Sequence, residues 1–90
     1  MFITLTARND GKREIINADR IKHAWIDPNP GDDDHYTAVH SELMLRIVFV
    51  GDSTTYRYVP VDEHGEPQSG ETDPAKATRA FERYLSAAAQ

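Results

Sequence analysis

Ninety residues with no cysteine, 39% apolar and 28% charged side chains specify one folded domain with a small core, not a disordered chain. Disulfides, thiolate metal sites and cysteine nucleophiles are excluded. The first residues lack signal-peptide patterning, and the longest apolar run, Ile47 to Val50, is too short to span a bilayer, so a soluble cytoplasmic protein is expected. The net charge of −5 is unevenly laid out: residues 1–26 sum to +2, residues 27–73 to −9 and residues 74–90 to +2.

Ile3, Leu5 and Ala7 alternate with Phe2, Thr4 and Thr6, the period-2 pattern of a half-buried strand. Asn9-Asp10-Gly11 suits a tight hairpin turn, and Arg13 to Asn17 reads as the returning strand. Asn17-Ala18-Asp19 is a polar corner. A third strand follows, with Ile21, His23 and Trp25 on one face and Lys22, Ala24 and Ile26 on the other; Asp27-Pro28 stops it, because proline cannot donate to a ladder and restricts the residue before it. Residues 28–41 form a loop dense in turn formers and acid, of which Tyr36 to Val39 could extend the next strand. Leu43, Leu45, Ile47 and Phe49 share one face of a fourth strand and Met44, Arg46, Val48 and Val50 the other; apolar on nearly both sides, it reads as central. After a turn at Gly51-Asp52-Ser53, Thr55 to Val61 reads as a fifth strand, with Pro60 marking an edge or an end.

A polar loop from Asp62 to Thr72 leads to the clearest helix start in the chain, with Asp73 as N-cap and Pro74 at the first helical position. Ala77, Phe81, Tyr84, Leu85 and Ala88 then form one apolar stripe at helical spacing. Short links favour neighbouring pairing. The expected fold is therefore α+β: an antiparallel meander of about five strands with one C-terminal helix packed on a face.

In a meander alternate links emerge at the same end. The first hairpin turn, the 28–41 loop and the 62–72 loop would then gather Asp27, Asp32, Asp33, Asp34, Asp62, Glu63, Glu66, Glu71 and Asp73 at one pole, with only Lys12 beside them. A field of this sign disfavours nucleic acid, which needs clustered cations, and favours a protein with a basic surface.

Other chemistry is thinly represented. Asp32-Asp33-Asp34-His35, with His40 nearby, suggests hard-cation ligands, but the spacing is not that of an EF-hand loop, and two His five residues apart share a face on neither strand nor helix. A small metal-binding protein is therefore an alternative, not the leading expectation. His40-Ser41-Glu42 contains residue types of nucleophilic catalysis, yet adjacent strand residues point to opposite faces and no nucleophile-elbow pattern is present. His23 is expected to flank the core beside Trp25. No catalytic residues, metal ligands or cofactor are assigned. Trp25, Tyr56 and Tyr58 read as cross-strand packing, or as partner anchors beside Arg46 and Arg57 if their face is open.

Ile3-Thr4-Leu5-Thr6, Gly11, Ile16-Asn17 and Ile21 also form a pattern of strand, glycine turn and strand ending in Ile-Asn. Over about residues 2–26 this resembles the opening of short FlbD-type flagellar proteins and of many small phage and bacterial proteins of unknown role. The resemblance implies an accessory role in motility or regulation and brings no catalytic residues. The leading expectation from the residues themselves is a non-catalytic protein-binding module. Its acidic end, at Asp32, Asp33, Asp34, Asp62, Glu63 and Glu66, would engage a basic partner with Trp25, Tyr56 and Tyr58 as anchors. One version is an inhibitor of a nucleic-acid-binding machine, as anti-CRISPR and anti-restriction proteins are, by analogy.

Overall fold

A computed structural model of the chain describes residues 1–28 and 38–90. The elements in order are β1 (Phe2–Thr6), β2 (Arg13–Asn17), a 3-10 turn (Ala18–Arg20), β3 (Ile21–Asp27), β4 (Met44–Phe49), β5 (Thr55–Tyr58) and helix α1 (Pro74–Ala88). Among the described residues no helix is long and apolar enough to cross a membrane.

β1 and β2 form the expected hairpin, in register from Phe2 opposite Asn17 to Thr6 opposite Arg13. Its turn uses Gly11 at a φ of +74°, a conformation that costs glycine nothing. β4 is central, between β3 and β5, and both of its pairings are antiparallel.

The single meander does not form. Among the described residues β2 pairs only with β1, and the strands divide into a sheet of two and a sheet of three. The reason lies at residues 17–20. Asn17 accepts the Asp19 N–H on its side chain and starts a 3-10 turn, which carries the chain away from β2 instead of reversing beside it. β3 then pairs with β4. The two sheets meet at the other end of β1, where Ala7 bridges Tyr58, Arg8 N donates to Arg57 O, and Val59 N donates to Thr6 O.

The core lies between the sheets. It takes Ile3, Leu5 and Ile16 from the hairpin, Leu45 and Ile47 from β4, Tyr58 and Val61 from the β5 region, and Phe81 from α1. Asp73 caps α1 by accepting the Ala75 and Lys76 N–H groups, with Pro74 behind it as expected. Ala77 and Phe81 are buried, and Tyr84, Leu85 and Ala88 pack at the cluster margin. The Tyr84 hydroxyl accepts from Thr4 N (3.0 Å) and donates to Thr4 O (3.4 Å), covering backbone of β1 that no strand pairs.

Two expectations about the strands change. Between Ile21 and His23 the β3–β4 register slips, with Ile21 opposite Phe49 and His23 opposite Val48. Lys22 is thus the extra residue of a bulge, and a bulge reverses the alternation beyond it. Ile21 falls on the face of Ala24 and Ile26, while His23 and Trp25 point the other way. His23 is exposed, not a core neighbour. The fifth strand ends at Tyr58, and Val59, Pro60 and Val61 continue as buried chain that turns back through a Val61–Pro67 bridge.

Candidate functional site

Backbone bonds bring three links of the chain to one end of the fold. Ala38 N and Val39 N both donate to Arg8 O beside the β1–β2 turn, Glu42 N donates to Ser69 O, and the Arg13 guanidinium reaches Gly65 O at 3.4 Å. The described parts of these links therefore meet, although the strand order that brings them together is not that of a meander. Arg8 lies beneath, 3% exposed. Its guanidinium donates to Ser41 Oγ (3.1 Å) and Ser41 O (3.3 Å) and touches Met44 Sδ, fixing the 41–44 segment from below.

The carboxylates at this end do several jobs. Asp32, Asp33 and Asp34, together with His35, lie outside the described residues. Asp62 organises its own loop: Oδ1 accepts from His64 N (2.8 Å) and Glu66 N (3.0 Å), and Oδ2 accepts from Gln68 Nε2 (3.4 Å). The Glu66 N–H bond leads the interactions that hold its carboxyl below the usual range, because a carboxylate accepting backbone N–H groups resists protonation. Glu71 accepts from Thr72 N and Asp73 N and lies 3.7 Å from Lys76 Nζ. Asp27 is bound at 2.8 Å by Arg46 Nε and belongs to the sheet, not to a free acidic surface. Glu63 is exposed, 3.9 Å from Arg83 and 3.7 Å from His64. Glu66 is exposed, and no side-chain bond or ion pair of its carboxylate occurs among the described residues.

The three aromatic candidates do not form one patch. Trp25 stands opposite Arg46, and Arg46 opposite Arg57, so these three share a cross-strand row. Tyr56 and Tyr58 occupy the other face, opposite Ile47 and Leu45. Tyr58 is a core residue, 3% exposed, with its hydroxyl donating to Glu14 at 3.2 Å. Burial and the Glu14 charge push its phenol well above the usual range. It is not a surface anchor. Trp25 is 43% exposed. Tyr56 stacks edge-on to Phe49 and donates to Asp52 at 2.8 Å; that bond raises its phenol, while Asp52, held chiefly by the Thr54 N–H, stays below the usual range.

The sequence reading also missed an open groove of about 540 Å³ between β2 and the β4–β5 turn, lined in part by Ile15, Phe49, Val50 and Tyr56. An apolar alternation in a two-stranded hairpin was its available signal, since Ile15 on the outer face is left exposed. Among the described residues no three His, Cys, Asp or Glu side chains converge as a metal set. Comparison of the chain with known protein families, curated proteins and solved structures finds no match.

Proposed function

We propose that this chain is a non-catalytic protein-binding module that presents its acidic end to a basic surface of a partner. The observation that carries the reading is the 62–73 loop. Asp62 and Glu71 staple its backbone from within and Asp73 anchors its end by capping α1, so Glu63 and Glu66 project from a fixed frame, beside the described part of the 28–43 link, whose sequence also contains Asp32-Asp33-Asp34. Pre-positioned charge steers encounter and sets orientation without the cost of ordering a loop on binding. Trp25, half exposed beside the Arg46–Asp27 pair, and Tyr56, exposed on the other face, are the remaining aromatic anchors. The finer version, in which carboxylates stand in for phosphates and occupy a nucleic-acid-binding protein, rests on this same charge.

The test is capture of a partner at low salt by wild type and by the double variant Glu63→Lys/Glu66→Lys, with Asp62 left intact so that the loop keeps its shape. Affinity is expected to fall at least about tenfold and to lose much of its salt dependence. A folded double variant that binds as wild type, with the same salt slope, removes the proposal. Competition of the captured partner with nucleic acid separates the finer version from the general one.

A further inference from the structure

We propose that β2 is a self-association edge, pairing antiparallel with β2 of a second copy about a two-fold axis at Ile15. The hairpin fixes which backbone groups are available. Ala7 N bonds Lys12 O and Ala18 N bonds Met1 O, and in an antiparallel ladder bonded and open residues alternate. With the observed register, residues 12, 14, 16 and 18 face β1, leaving the N–H and C=O groups of Arg13, Ile15 and Asn17 aimed outward. No strand or described loop pairs with them, and an unpaired edge is a template for another chain.

Charge and the use of the open groups together select the register, and charge selects the occupant. A two-fold pairing that keeps inner faces together must match residues of like parity. Centring it on Arg13 or Glu14 sets like charges opposite each other, which is unfavourable. Centring it on Ile15 sets Ile15 against Ile15, Arg13 against Asn17 and Glu14 against Ile16. It also uses every open group of the strand, because three outward pairs exchanging two bonds each give about six hydrogen bonds. Around this edge Lys12, Arg13, Arg20 and the Met1 ammonium, bound to Asp19 at 2.8 Å, face Glu14, Asp19 and Asp52, so the patch is close to neutral on a chain of net charge −5. Such a patch has no need of a basic partner and pairs with itself without repulsion. Its apolar content fits: Ile15 is 79% and Phe2 68% exposed on the outer face of the hairpin, and Val50 and Tyr56 are open across the groove. The edge is five residues long, which places the assembly among small, reversible interfaces below about 1,200 Å².

Sedimentation equilibrium or light scattering from micromolar to about millimolar chain reads the result, the upper end being where an association worth only about 4 kcal/mol becomes visible. Wild type is expected to pass from monomer to dimer, equally at low and high salt. Ile15→Lys is expected to weaken the dimer at least about tenfold. Ile15→Pro should do the same while the hairpin persists, because the N–H it removes points outward and edge positions tolerate proline. Circular dichroism confirms that each variant is folded, and either folded variant suffices. A wild type that is monomeric throughout, or a dimer that survives in the folded variants, overturns the proposal. Glu63→Lys/Glu66→Lys is expected to leave the dimer unchanged, which separates this edge from the acidic end.

Discussion

Gly65 and Gly51 offer a controlled comparison of backbone cost and packing cost. Both take positive φ angles, +84° and +82°. A Cβ on Gly51 would meet nothing within 4 Å, whereas one on Gly65 would fall against Cζ of the Tyr84 ring and 2.7 Å from its hydroxyl oxygen. Alanine at either site bears the left-handed backbone cost of about 1–2 kcal/mol. At Gly65 the phenol must also move, and its two bonds to Thr4 are worth about 1 kcal/mol each. Gly65→Ala is therefore expected to destabilise by about 3–4 kcal/mol and Gly51→Ala by about 1–2. A ninety-residue domain has about 5–13 kcal/mol in total, so the difference is large on this scale. Urea denaturation followed by circular dichroism measures both. The double variant Gly65→Ala/Tyr84→Ala is expected to be less unstable than the sum of its singles, since the clash is gone. Equal losses for the two glycine variants, or strict additivity in the double, would refute the contact between the 62–72 loop and the helix as the source of the effect.

Asp73→Ala removes the acceptor for two N–H groups of α1 and is expected to cost about 1 kcal/mol in the same assay. The pKa of Asp62 is lower in the folded protein than in the unfolded chain. Its stabilisation is thus complete above about pH 4 and lost as pH falls through the lower folded value; amide shifts of His64 and Glu66 followed on acidification should move together in that window, and should not in Asp62→Asn. Tyr58 is displaced upward. The unfolded chain ionises first, so stability should hold below about pH 10 and decline above it, and Tyr58→Phe should flatten that decline in thermal melts.

What could be read from the sequence and what could not divide along the range of the interactions. The β1–β2 hairpin and helix α1 were legible because their signals sit within a few residues: Asp10-Gly11 between alternating runs, and Asp73-Pro74 ahead of a 3.6-residue stripe. The strand order was not. Whether β3 returns beside β2 depends on the 3-10 turn after Asn17, and a short polar corner supports either outcome. The bulge at Lys22 was equally hidden, and one inserted residue was enough to place Trp25 and Tyr56 on opposite faces. Parity counted along an uninterrupted strand had put His23 beside the core; parity counted from the observed register puts it in solvent.

The acidic end shows why composition alone misjudged the individual carboxylates. Asp10, Asn17, Asp52, Asp62 and Asp73 each accept the N–H of the residue two positions on. Short side chains with an acceptor at this distance mimic a turn of backbone, so much of the acid in the connections is turn chemistry before it is surface charge. The two uses are compatible, and their consequences can be told apart. Asp52 and Asp62 are held ionised by the bonds that close their turns, and replacing a turn-closing Asp changes shape and field together. Glu63 and Glu66 carry charge without closing a turn, so reversing Glu66 changes the field alone, while reversing Glu63 also removes its contact with Arg83 on α1. Asp62→Asn preserves a carbonyl acceptor for His64 N while removing one charge, and Asp62→Ala removes both. If docking depends on field, Asp62→Asn and Glu66→Gln should weaken partner binding alike at low salt and converge on wild type as salt rises. If it depends on the loop's shape, only Asp62→Ala should weaken binding, and that loss should persist at every ionic strength.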